Sequence, residues 1–60
     1  MTENQQKIYE TIKSGMLQIT GNLVQMVVNK SDYEDSKIAA KEFNHEMKRG
    51  NSPIRVTVKA

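Results

Sequence analysis

The fold of this 60-residue chain depends on one stretch, MLQITGNLVQMVVN, residues 16–29. Its apolar residues continue a helical repeat that begins upstream, but many of its residues are strand formers, and Gly21-Asn22 interrupts the stretch. If the stretch is helical, the chain contains a long first helix; if it is extended, the chain contains a β-hairpin. The segments that follow have clearer patterns.

The spacing of the apolar residues favours the helix. They recur every three or four residues, as expected for one face of a helix, at Ile8, Ile12, Met16, Ile19, Leu23 and Val27. Thr2 is a suitable N-cap, and Glu3 places a negative charge in the first turn, where the helix dipole favours it. We therefore predict a first helix over about residues 3–29.

A β-hairpin is the alternative for residues 16–28. Two apolar runs, residues 16–20 and 23–28, flank Gly21-Asn22, which is a two-residue turn signal. Isoleucine, threonine and valine favour strands, whereas glycine and asparagine are poor helix formers. In a hairpin, one face would carry Leu17, Ile19, Val24, Met26 and Val28.

The second predicted element is a helix over residues 33–49. Ser31-Asp32-Tyr33-Glu34 matches a capping box, in which the serine and glutamate side chains accept hydrogen bonds from backbone N–H groups. Gly50-Asn51 is a typical helix end, and Pro53 follows it. The apolar positions of this helix form a stripe at Ile38, Ala39, Phe43 and Met47.

Residues 54–59 predict a half-buried strand. Ile54, Val56 and Val58 alternate with three polar residues, Arg55, Thr57 and Lys59. A lone strand cannot satisfy its backbone groups, so beside a long first helix it would have to pair with another chain. The predicted fold is mainly α, with a two-helix hairpin followed by a short C-terminal strand, and oligomeric. The alternative is an α+β fold with the 16–28 hairpin, a helix over 32–49 and a third strand over 53–59.

Size and composition limit the domain count and the chemistry. Sixty residues form one domain at most, and at this size apolar burial barely offsets the entropy of ordering the chain. There is no cysteine and one histidine, His45, so disulfides and cysteine- or multi-histidine metal sites within one chain are excluded. A partner subunit is the remaining common means of stabilisation.

The chain lacks the motifs of common catalytic chemistry. No serine lies in a nucleophile motif near His45, the acids at 32, 34 and 35 lack the spacing of a calcium loop, and the glycines do not form a phosphate loop. We therefore expect no enzyme activity, cofactor or metal. The N-terminus does not resemble a signal peptide and no apolar stretch is long enough to span a bilayer, so we expect a cytoplasmic protein without membrane contact.

Two groups of residues are candidate binding sites. The first is the apolar stripe, expected to provide an oligomer or partner interface, at Ile8, Ile12, Met16, Ile19, Leu23 and Val27. The second is basic and would bind an anionic partner, at Lys48, Arg49, Arg55 and Lys59. We expect a stoichiometric inhibitor or adaptor of a protein partner. The alternatives are a nucleic-acid-binding regulator, with affinity that falls with salt, and an oligomer that sequesters a small anionic ligand.

Overall fold

The computed structural model describes residues 1–15 and 22–60, which form two helices and a short two-stranded sheet. In chain order the elements are α1 (Glu3–Gly15), β1 (Leu23–Val27), a 3₁₀ turn (Lys30–Asp32), α2 (Tyr33–Arg49) and β2 (Arg55–Lys59). The prediction of a mainly α fold with a C-terminal strand is confirmed. No helix within the described ranges is long and apolar enough to cross a membrane.

The first helix begins at a capping box. The backbone N–H of Gln5 donates to Thr2 Oγ1 at 3.2 Å, and the backbone N–H of Thr2 donates to Gln5 Oε1 at 2.9 Å. These reciprocal bonds satisfy two backbone donors at the helix start. Thr2 therefore acts as the N-cap, as predicted.

The prediction that the first helix extends to about residue 29 is wrong, because Leu23–Val27 is a strand. Val24 and Met26 pack against the core, while Leu23 and Val27 point away from it. This two-residue alternation suits the valine-rich sequence and gives β2 a partner within the chain. The hairpin alternative is correct in predicting a strand here. The other strand of that predicted hairpin, residues 16–20, and Gly21 lie outside the described residues.

The two strands are parallel neighbours, and α2 connects them. The register runs from Leu23 opposite Arg55 to Val27 opposite Lys59. Parallel strands require such a crossover, most often a helix. Because β2 pairs with β1, the C-terminal strand does not require a second chain.

Helix α2 has the bounds that the sequence predicts, but its start is different. Ser31 belongs to the 3₁₀ turn, and the N-cap Asp32 makes no side-chain capping bond, so the predicted capping box is wrong. At the other end, Asn51 adopts a left-handed conformation with φ 60°, and the backbone N–H of Ser52 donates to Met47 O at 2.8 Å. Asparagine tolerates this conformation, so Asn51 can turn the chain back towards β2.

The core lies where α1, α2 and β2 meet. Its buried apolar residues are Tyr9, Ile12, Ala39, Ala40, Phe43 and Val56. On α2 the small residues Ser36, Ala39 and Ala40 are almost completely buried, which allows close packing between the elements. Phe43 provides the largest fully buried side chain.

Polar contacts also hold α1 against α2. Asn4 Nδ2 and Gln5 Nε2 donate to the Asp35 carboxylate at 2.7 and 3.0 Å, and these bonds lower the pKa of Asp35. Farther along, the Tyr9 hydroxyl donates to Glu46 Oε2. This hydrogen bond, followed by burial and the charges of Glu46 and Glu42, raises the pKa of Tyr9 to about 12.

We expect the Tyr9 hydroxyl to stabilise the fold only below strongly alkaline pH. Its pKa rises from an ordinary 10.0 to about 12 on folding, so its contribution is fully present below pH 10 and is lost between pH 10 and 12. Tyr9→Phe should cost about 1.5 kcal/mol at neutral pH, as expected for a hydrogen bond to a charged group. Urea unfolding of both proteins as a function of pH should show this difference shrinking above pH 10. A difference that stays constant to pH 12 would contradict the assignment.

Candidate functional site

One surface of the sheet faces away from both helices, and we call it the outer face. It carries the side chains that alternate with the core-facing valines and Met26. On β1 these are Leu23, Gln25 and Val27, and on β2 they are Arg55, Thr57 and Lys59. Five of the six are exposed, and Arg55 is half-buried.

The apolar residues of the outer face are unusually accessible. Leu23 and Val27 each leave 72% of their surface exposed. Parallel sheets are normally covered on both faces, because their crossover helices pack there. In the described part of this chain, helices pack against the inner face only, so the outer face is a candidate docking surface.

The outer face has an apolar column beside a basic one. The register sets Leu23 next to Arg55 and Val27 next to Lys59, with Gln25 and Thr57 between the two pairs. Arg55 Nη1 donates to the carbonyls of Ser52 and Ile54 at 2.7 and 2.6 Å. These bonds hold the guanidinium at the start of β2, where Arg55 also lines a depression beside α2.

The predicted apolar stripe is divided between the core and this face. Ile12 is buried, and Ile8 is half-buried against the core, so both pack within the chain. Leu23 and Val27 lie on the outer face. Met16 and Ile19 lie outside the described residues.

The predicted basic residues do not form one surface. Lys48 and Arg55 line an open depression of about 490 Å³, together with Lys41 and His45. Arg49 and Lys59 do not line it. Lys41 is absent from the predicted set, although it lies seven residues before Lys48 and therefore on the same face of α2.

Comparisons with known proteins do not identify a family: no protein-family model, curated protein or solved structure matches the chain.

Proposed function

We propose that this protein is a non-catalytic binding protein that occludes a surface of a partner protein stoichiometrically, with the outer face as its docking surface. The observation that carries the proposal is the 72% exposure of Leu23 and Val27 on a parallel sheet. Covering such a face removes apolar area from water, which is the main favourable term in protein association. The unfavourable contact of Leu23 and Val27 with water is relieved when a partner covers them.

The occupant that fits the outer face is an amphipathic helix of the partner, with an apolar stripe bordered by acidic residues. Helices are the elements that normally cover a parallel sheet. The apolar stripe would pack on Leu23 and Val27, and the acidic border would face Arg55 and Lys59. Opposite charges at the rim favour this orientation and exclude basic partners.

A second copy of the chain fits the outer face less well. Packing two outer faces together would bring the Arg55 and Lys59 side chains of both copies onto one small surface. Outside this face, the large apolar residues exposed in the described ranges are Met1 and Ile38. Ile38 is the only one of these on α2, so α2 has no exposed apolar stripe that could cover the outer face of a second copy. Homo-oligomerisation stays a prediction and would use another surface.

The dimensions of the face indicate modest affinity. Each strand has five residues, so the outer face measures about 17 Å by 10 Å. Its area is well below the roughly 800 Å² per partner of a standard interface. We therefore expect weak binding, with dissociation constants well above micromolar, for a helix that contacts this face alone. A partner that also contacts neighbouring surfaces would bind more tightly.

The proposal can be tested with a helix-stapled peptide whose leucine stripe is bordered by glutamates. Calorimetry should give one peptide per chain, and a double variant Leu23→Thr, Val27→Thr should weaken binding at least tenfold. Threonine keeps the strand propensity of these positions. Ile38→Thr is the matched control, because it removes an exposed apolar side chain elsewhere and should leave affinity unchanged.

Two results would overturn the proposal. The first is unchanged binding by the Leu23→Thr, Val27→Thr variant. The second is a melting temperature that falls by many degrees in that variant, because the face would then be packed within the chain. A peptide with lysines in place of the glutamates should bind more weakly, and equal binding would remove the role given to Arg55 and Lys59.

A further inference from the structure

Two acids and three lysines lie on opposite flanks of α2. Two acids, Asp35 and Glu46, face α1, where they accept the hydrogen bonds from Asn4, Gln5 and Tyr9. The helical period places three lysines on the opposite flank, beside β2, at Lys37, Lys41 and Lys48. Glu34 shares the helical phase of these lysines, so the flank beside β2 carries three lysines and one acid and has a net positive charge.

A groove runs between this flank and the edge of β2, and we call it the edge groove. Its volume is about 420 Å³. On the helix side it is lined by Tyr33, Lys37, Ala40 and Lys41, and on the strand side by Val58 and its neighbours. It therefore combines apolar lining with two lysines.

The backbone of β2 presents hydrogen-bonding groups to this groove. Arg55 N–H donates to Asn22 O at 2.7 Å, and Lys59 O accepts from Val28 N–H at 2.9 Å, so the odd-numbered residues of β2 face β1. Backbone groups alternate along a strand, which turns those of Val56 and Val58 towards the groove.

Asn44 already occupies the groove at Val56. Val56 N–H donates to Asn44 Oδ1 at 2.7 Å, and Asn44 Nδ2 donates to Val56 O at 2.9 Å. The side-chain amide supplies the donor and acceptor that a neighbouring strand would supply. No described residue across the groove bonds the backbone of Val58, which leaves that position open to an incoming strand.

We propose that the edge groove binds an extended acidic peptide segment, which pairs with β2 at Val58 and places carboxylates at alternate positions beside Lys37 and Lys41. The two lysines are one helical turn apart, about 6 Å along the axis. Alternate side chains of a strand are about 6.6 Å apart. Strand addition to an exposed edge is an established mode of peptide recognition, and Asn44 marks the end of the site.

An extended peptide fits the edge groove better than a nucleic acid strand. At Val58 the strand edge offers a backbone donor and acceptor, which match the alternating backbone groups of a second peptide strand. Base stacking would need an open aromatic face. The ring of Tyr33 is instead covered by Lys37, whose Nζ lies 5.2 Å from its centre.

The test uses the whole chain and a labelled, blocked eight-residue peptide with glutamates at two alternate positions. Fluorescence anisotropy should show saturable binding at about 50 mM salt and weaker binding at about 300 mM. Lys37→Gln with Lys41→Gln should weaken binding about tenfold. The matched control is Lys7→Gln with Lys13→Gln on the exposed face of α1, which should leave affinity unchanged. The backbone amide of Val58 should show one of the largest NMR shifts on binding.

Three outcomes would overturn the inference. The peptide with glutamines could bind as well as the acidic one, or the Lys37 and Lys41 changes could have no more effect than the α1 control. A labelled single-stranded oligonucleotide could bind while the acidic peptide does not, which would assign the lysines to nucleic acid. The Lys37 and Lys41 variant leaves Leu23 and Val27 intact, so its result is independent of the test of the outer face.

Discussion

Phe43→Ala is expected to lower the free energy of unfolding more than any other change considered for this protein. The ring is 1% exposed and lies in the middle of α2, in the core shared with α1 and β2. Replacing a buried phenylalanine with alanine costs about 3–5 kcal/mol through lost burial and the cavity left behind. A chain of this length has a total stability of roughly 3–9 kcal/mol, so the change removes a third or more of it.

Urea unfolding followed by far-UV circular dichroism measures this effect. Phe43→Leu is the matched control, because it keeps an apolar side chain of similar volume and should cost less than about 1.5 kcal/mol. If Phe43→Ala cost no more than Phe43→Leu, the ring would not lie at the junction of α1, α2 and β2.

Asn44→Ala is expected to cost about 2–4 kcal/mol, because it removes two hydrogen bonds and leaves Val56 backbone groups without partners. Val56 is 4% exposed while the Asn44 amide covers it, so the change uncovers its backbone N–H and C=O at the edge of β2. The change should also promote self-association at high concentration, since it opens the edge of β2. Both effects come from the same two bonds.

Thermal unfolding and light scattering over a dilution series would measure the two effects of Asn44→Ala. Asn29→Ala is the control, because Asn29 is exposed and its side chain makes no capping bond at the 3₁₀ turn. We expect a change within about 0.5 kcal/mol there, as at most surface positions. Equal losses in the two variants would mean that Asn44 does not hold the strand edge.

The sequence predicts α2 and β2 because each has a single pattern that its surroundings support. Gly50-Asn51 ends α2 where expected, and the alternation after Pro53 gives β2 to within one residue. In residues 23–27, by contrast, the apolar residues fit both the 3.6-residue period of a helix and the two-residue period of a strand. The helical period assigns Leu23 and Val27 to the core, whereas the strand period assigns Val24 and Met26, and the structure follows the strand.

The outer face could be predicted only after the period of β1 was known. A helix would place Leu23 and Val27 in the apolar stripe, whereas the strand exposes them beside Arg55 and Lys59. The edge groove was even less predictable, because Asn44 carries no signal in the sequence. Its role depends on the distance of α2 from β2, which is set by tertiary packing.

The parallel pairing of the strands has a consequence for synthesis. Leu23 pairs with Arg55, about thirty residues later in the chain, and translation adds about 5–20 residues per second. The residues between them therefore take roughly 2–6 s to add. The sheet cannot form before α2 has been synthesised, so β1 depends on a partner that is made after the helix.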